Sequence, residues 1–280
     1  MDLGLVSNCW RVQLDKGEAL EALIEKAREV GLRNIELRQG CLGEFESEDD
    51  FPIANRLKLL PVQFPDVRFN IAICLPFMNA SMSAEEWLFC AGQSAAKAVA
   101  GRFEPHLRLV DLFTADGDWL RHPLSTSAIG RSIAALARSC ISDGIQLSVE
   151  NSRQHWNVFL SAFRYARKEL GKHSNLLQIC FDPCNLSLSG RAIDPARATR
   201  SLKSDEISMI HFKQRGDGLA CDSVTDGTIR WREVIELFKE KRFSCPGLFE
   251  IESSDKVWER LASSRSYLEN LGLQSGCESD

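Results

Sequence analysis

Gly144-Ile145-Gln146-Leu147-Ser148-Val149-Glu150-Asn151 is a short extended run that ends on an acid. Leu147 and Val149 alternate with Gln146, Ser148 and Glu150, so a strand here places aliphatic side chains on one face and Glu150 on the other. Three later stretches share the design: Leu177-Gln178-Ile179-Cys180-Phe181-Asp182, Ile207-Ser208-Met209-Ile210-His211 and Gly247-Leu248-Phe249-Glu250. The four terminal residues recur at intervals of about 30 to 40 residues, the length of one strand, one helix and their connections. If the four strands are parallel neighbours, Glu150, Asp182, His211 and Glu250 gather at one end of a sheet.

Outward from these four, the same alternation runs through the chain. Strands are expected at Gly4 to Trp10, Asn34 to Arg38, Val67 to Leu75 and Leu107 to Phe113. Helices are expected from Ala19 to Val30, with Asp15 and Glu18 as a capping box, and to about Ala100, with Ser83 and Glu86 as another. Further helices fit 125–140, 155–170, 231–241 and 255–270, and Asp194-Pro195 opens one more as N-cap and first helical residue. Strict β/α alternation implies a parallel sheet with right-handed crossovers. A doubly wound open sheet is the rival, but the first strand runs into Ser7-Asn8-Cys9-Trp10 with no GxGxxG turn. The reading is therefore α/β, a (β/α)8 TIM barrel formed as a single domain over residues 1–280, with its active site at the C-terminal ends of the strands.

Composition narrows the function classes. A net charge of -5 and no basic run give no electrostatic footprint for nucleic acid or an anionic membrane. The first residues lack a charged n-region and a long apolar h-region, and no apolar run approaches a membrane span, so a cytoplasmic protein is expected. Ten cysteines scattered through strand-like and helix-like runs read as reduced thiols.

Three carboxylates and one imidazole make a site for a hard or borderline divalent ion, Mn2+ first, with Mg2+ or Co2+ as substitutes. With His211 neutral the set carries three negative charges, a crowding that a cation relieves. Structural zinc is disfavoured, since no thiolates have matching spacing and HExxH is absent.

Taken with their neighbours, Ser148-Val149-Glu150-Asn151, Phe181-Asp182, Ile210-His211-Phe212-Lys213 and Phe249-Glu250, together with Thr225-Asp226-Gly227-Thr228-Ile229 before the seventh helix, the chain resembles the xylose isomerase-like TIM barrels, the sugar phosphate isomerase/epimerase superfamily. The resemblance covers essentially the whole chain. It implies that Glu150, Asp182, His211 and Glu250 bind Mn2+ or a similar ion, and that Glu150 and Glu250 lie on opposite faces of the substrate and exchange its proton. The implied activity is a divalent-metal-dependent sugar or sugar-phosphate isomerase or epimerase, working through a metal-stabilised enediolate on a small carbohydrate. The alternative is a dehydratase of inosose or dehydroshikimate type on the same site, and an AP endonuclease-like repair enzyme comes third. The pattern departs from the ketose 3-epimerases at Asn185, where those enzymes carry a substrate-contacting histidine. Arg215, the candidate for their substrate-binding arginine, also lies closer to His211 than their spacing.

Substrate-binding candidates are Asn185, Lys213, Arg215, Asn151 and Trp10. Lys213 and Arg215 share the parity of His211, so an extended chain would aim both at an anionic part of the substrate; the alternative is that Lys213 pairs with a neighbouring strand-end acid such as Glu252 and Arg215 is solvated. Asn151 either bonds the substrate or orients the loop after Glu150, and Trp10 either stacks on a sugar or belongs to the core. Glu36 is a supporting group or the partner of a buried arginine, and His122 could reach the pocket from the loop after the fourth strand. Assembly into a homo-oligomer is left open.

Overall fold

Among the described residues, eight strands pair in parallel: β1 (Leu3–Val6), β2 (Asn34–Arg38), β3 (Arg68–Cys74), β4 (His106–Val110), β5 (Gln146–Glu150), β6 (Leu177–Phe181), β7 (Ile207–Phe212) and β8 (Gly247–Phe249). β8 also pairs with β1, which closes the sheet into a barrel. The structure is a computed structural model that describes residues 1–78, 86–111, 126–187, 193–216 and 219–273. Each strand is followed by a helix: α1 (Leu20–Glu29), α2 (Ala54–Leu57), α3 (Glu86–Val99), α4 (Thr126–Ser142), α5 (Trp156–Leu170), α6 (Pro195–Ser201), α7 (Trp231–Glu240) and α8 (Val257–Asn270). This is a (β/α)8 barrel, as the alternation implied.

The two sides of the strands differ as their period predicts. Leu147 and Val149 of β5 are fully buried in the main apolar core, with Ile133 of α4 and Phe159 and Phe163 of α5. Ser148 and Glu150 face the barrel interior, where they bond side chains of β4. A second apolar cluster joins Val6, Cys180, Met209 and Leu248, apart from the main core. Cys180, Met209 and Leu248 stand two residues before Asp182, His211 and Glu250, so they share the inward parity and form the floor beneath the strand ends.

Several local expectations are corrected. The first strand stops at Val6, and Ser7–Trp10 winds into a 3-10 turn. Two bonds hold that turn against the barrel: the Arg38 N–H donates to Ser7 Oγ, and Cys9 Sγ donates to the Phe249 carbonyl. Asp15 ends a short helix, Arg11–Asp15, and α1 starts after Ala19 with no side-chain cap, so the Asp15/Glu18 capping box is absent. Asp194 does cap α6, accepting from the Ala196 N–H at 3.0 Å. The Ser83 cap and His122 lie outside the described residues, and the fourth strand ends at Val110. No disulfide joins the described cysteines, and no described helix is long and apolar enough to cross a membrane.

Candidate active site

Glu150 closes β5, Asp182 follows β6, His211 lies near the end of β7 and Glu250 follows β8, so four consecutive strands deliver the four side chains to one end of the barrel. All four are buried, and one ligand atom from each lies within 4.8 Å of the other three. One ion can bridge such a spread, since ligand oxygens and nitrogens sit about 2.0–2.6 Å from the divalent ions in question.

The protein anchors both oxygens of Glu150 and one oxygen each of Asp182 and Glu250 by hydrogen bonds. Glu150 Oε2 accepts from Arg108 Nη1 at 2.5 Å, and its Oε1 accepts from Asn185 Nδ2 at 2.9 Å. Asp182 Oδ1 accepts from the backbone N–H groups of Cys184 and Asn185 at 2.8 and 3.1 Å. Glu250 Oε1 accepts from Asn8 Nδ2 at 3.0 Å and Arg38 Nη1 at 3.1 Å. Three atoms remain buried without an aligned hydrogen bond: Asp182 Oδ2, His211 Nδ1 and Glu250 Oε2. His211 Nδ1 and Glu250 Oε2 lie 2.8 Å apart. The other ring nitrogen, Nε2, faces Cys180 Sγ at 3.2 Å and Glu36 Oε1 at 3.4 Å. Orphaned donor atoms of carboxylate and imidazole type, converging in a buried site, fit a divalent cation.

The set is less bare than its sequence suggested. Arg108 is fully buried and bonds both carboxylate oxygens of Glu36 as well as Glu150, and Glu36 Oε2 also accepts from Asn70 Nδ2 at 2.7 Å. Lys213 Nζ lies 2.7 Å from Asp182 Oδ2 and 2.5 Å from Glu250 Oε2. Four carboxylates, Glu36, Glu150, Asp182 and Glu250, thus face three side-chain cations, Arg38, Arg108 and Lys213. The expectation of three uncompensated negative charges is corrected accordingly.

These contacts set the carboxyl groups apart. Burial raises the Glu150 carboxyl above its ordinary value, with Arg108 and His211 pulling it back and Glu250 adding to the rise. Burial also opposes the charge on Glu250, but Lys213, His211 and Arg38 outweigh it and hold that carboxyl well below the usual range. For His211, burial works against the charged ring while Cys180 and Glu250 work for it. Burial pushes the Cys180 thiol up to about 12, so Glu250 is the partner of these two that carries charge at neutral pH. A carboxyl ready to hold a proton beside one that stays ionised is the arrangement that separates acid from base roles.

The remaining candidates divide. Asn185 reaches the site and orients Glu150, donating also to the Asn151 carbonyl at 3.1 Å. Asn151 bonds the backbone of Asp182, donating to its carbonyl and accepting from its N–H, both at 2.8 Å, and so positions the loop. Trp10 is fully buried and packs against Trp258 with ring centroids 6.0 Å apart, so the core reading replaces the stacking one. Lys213 turns into the carboxylates and pairs with the strand-end acids Asp182 and Glu250, as the alternative reading had it, although the partners are these two and not Glu252. The shared parity fails because β7 ends at Phe212, and Arg215 belongs to a two-residue hairpin with Leu219–Ala220. Gln214 pins this turn to the Thr225–Ile229 stretch, donating to the carbonyls of Thr225 and Ile229 and accepting from the Ile229 N–H. Gly227 permits that seat, because a Cβ there would lie 2.7 Å from Gln214 Cδ.

Sequence reasoning did not single out Arg108, Arg38 or Asn8. Arg108 carried a signal, as a lone cation at an inward position of the apolar run Leu107-Arg108-Leu109-Val110, where a buried charge requires a partner. Arg38 and Asn8 look like ordinary rim residues until the barrel brings β1 and β2 beside β8.

Comparison with known proteins accords with this geometry. No curated protein sequence matches the chain. Among solved structures, a D-tagatose 3-epimerase-like protein superposes with a TM-score of 0.67 at 17% identity, covering 97% of this chain and 98% of its own. A probable 3-DHS dehydratase from Bacillus anthracis superposes with a TM-score of 0.69 at 15% identity, over 96% and 99% of the two chains. An IolI protein with a bound zinc atom does so with a TM-score of 0.67 at 14% identity, over 98% and 97%. These likenesses establish the shared barrel. The family model described as xylose isomerase-like TIM barrel matches residues 120–271, more than half of the chain and the part that holds all four converging side chains, and the chain therefore belongs to the xylose isomerase-like TIM barrel family.

Proposed function

We propose that this protein is a divalent-metal-dependent isomerase or epimerase of a sugar or sugar phosphate, with Glu150, Asp182, His211 and Glu250 as the ligand set. The observation that carries the reading is the convergence of Asp182 Oδ2, His211 Nδ1 and Glu250 Oε2, buried and without aligned hydrogen bonds, beside Glu150. Mn2+ is the first candidate, with Mg2+ or Co2+ as substitutes, and the zinc in the IolI structure keeps zinc on the panel to be tested. The bound ion supplies a Lewis acid to adjacent carbonyl and hydroxyl oxygens of the substrate.

The protein groups do the proton work. Glu150 and Glu250 stand at the two ends of the β5–β8 arc, so a substrate carbon lying between them presents one face to each. Glu250, held ionised by Lys213, His211 and Arg38 against the effect of burial, removes a proton. Glu150, whose carboxyl is raised by burial, holds or returns one, and Arg108 and Asn185 fix its orientation. Positioned acid and base groups of this kind each contribute about 10² to 10⁴ in rate.

A dehydratase of a polyol or keto acid uses the same proton removal but expels a β-hydroxyl. The likeness to the probable 3-DHS dehydratase keeps this second reading in play. Incubation of ketoses, sugar phosphates, inososes and dehydroshikimate with the Mn2+ protein in D2O separates the readings. Deuterium entering recovered sugar marks the epimerase or isomerase, loss of water marks the dehydratase, and neither outcome across the panel rejects both.

A further inference from the structure

Lys213 occupies the point that the orphaned atoms share. Its Nζ contacts Asp182 Oδ2 and Glu250 Oε2, while the opposite oxygen of each carboxylate is already taken, by Cys184 and Asn185 backbone N–H groups on Asp182 and by Asn8 and Arg38 on Glu250. The two inward oxygens therefore have one common neighbour, and an ion joining them to His211 Nδ1 must take its place. Two cations cannot share that position, because like charges in a buried setting repel strongly.

The lysine backbone cannot make room. Trp231 Nε1 donates to the Lys213 carbonyl at 3.0 Å, and the next residue, Gln214, is fixed to Thr225 and Ile229. The side chain can move, since it is 14% exposed at the mouth of the site and has four flexible methylenes.

We propose that Lys213 is a built-in counter-cation that a divalent ion has to displace, so that this side chain sets the metal affinity of the site and keeps the ion exchangeable. The inference rests on the metal-site reading above. Without a cation at this point, Asp182 would be a buried charge held only by backbone N–H groups and Glu250 would keep Arg38 alone as its side-chain cation, a destabilising condition. The ammonium supplies that compensation while no ion is bound, and on displacement it swings to the mouth of the site as a free positive charge.

Titration of Mn2+ into wild type and Lys213→Met, with the free ion followed by electron paramagnetic resonance, tests this. The variant should bind at least about tenfold more tightly, because the ion no longer displaces a charge-assisted pair. It should also melt lower than wild type in EDTA yet gain more from added Mn2+. A lysine with a merely structural role would lower both melting points and leave the affinity alone. If Lys213→Met does not fold in EDTA, Lys213→Gln, polar but uncharged, carries the same expectation. Equal or weaker affinity in the variant overturns the displacement idea while leaving the metal site standing. Binding by the variant alone overturns it in favour of a lysine that permanently replaces the ion, and no binding by either protein overturns the metal reading and this inference together.

Discussion

The barrel interior holds two buried polar groupings, and they are resolved in opposite ways. Toward the starting ends of the strands, Ser208 Oγ donates to the Ile179 carbonyl at 3.1 Å and Ser148 Oγ donates to Ser208 Oγ at 2.7 Å. The single hydroxyl proton of Ser148 is thereby used, so His106 Nε2, 2.7 Å from Ser148 Oγ, must be the donor of that bond. Every member has its partner, and the chain ends on a backbone carbonyl. At the finishing ends, Asp182 Oδ2, His211 Nδ1 and Glu250 Oε2 are just as buried but have charged neighbours in place of aligned hydrogen bonds: Lys213 Nζ lies 2.7 and 2.5 Å from the two oxygens, and Glu250 Oε2 lies 2.8 Å from the ring nitrogen. The first grouping is neutral and closed, the second charged and held by a flexible side chain. Buried polar groups that satisfy one another maintain a fold, whereas carboxylates gathered around a movable ammonium suit the exchange of one cation for another.

The contrast is broken most severely by changes to the charged grouping. Glu150→Gln and Glu250→Gln each keep size and hydrogen-bonding shape but cannot accept a proton. Either should lower turnover by about 10² to 10⁴ while circular dichroism still shows a folded barrel. A variant with near-normal turnover would place that glutamate with the structural residues.

The charged grouping should also respond to an ion where the closed one cannot. With Mn2+ at a hundredfold excess over Kd, ligand binding to the folded state alone adds about 2.7 kcal/mol of stability. Scanning calorimetry in EDTA and in Mn2+, together with elemental analysis, measures it, and an unchanged midpoint with no retained metal contradicts the ligand assignment.

The closed grouping carries the smallest effect, and its signature is acid sensitivity without loss of catalysis. Burial lowers the His106 ring from its ordinary 6.5 to about 3, so the unfolded chain binds more protons than the folded one between those values. Stability therefore falls as pH drops below 6.5, by about 2 kcal/mol at pH 5, and the loss stops growing only once the folded ring itself protonates. In His106→Asn this part of the acid slope should vanish while turnover per folded molecule is retained. An identical slope in the variant would assign the acid sensitivity elsewhere.

How far the site could be read without coordinates follows from the range of each signal. Strand ends such as Val149-Glu150 and Phe249-Glu250 declare themselves locally, because apolar alternation sets which face the acid takes and β/α spacing places the strands side by side. Asn185 was legible as a position but not as a bond to Glu150, which depends on the 3-10 turn Asn185–Ser187 after β6. Lys213 kept the parity of His211 and reached the site, where which acids it meets depends on the order of strands in the barrel; parity was lost only at Arg215, because β7 ends at Phe212. Arg108 and Glu36 meet across the interior from β4 and β2, strands that are not neighbours, so no local pattern could pair them. The Asp15/Glu18 pattern had suitable residues, but a helix already occupied the cap position.

The anchoring contacts also divide the chain in space. Glu150, Asp182, His211 and Glu250 all come from β5–β8, where Asn185 and Lys213 bear on them as well, yet Asn8, Glu36, Arg38 and Arg108 reach them from the segment that builds β1–β4. One half of the barrel supplies the converging groups, and the other supplies much of their setting. Substitutions in the first half can therefore shift the acidity and aim of the second half's carboxylates while leaving every one of them in place.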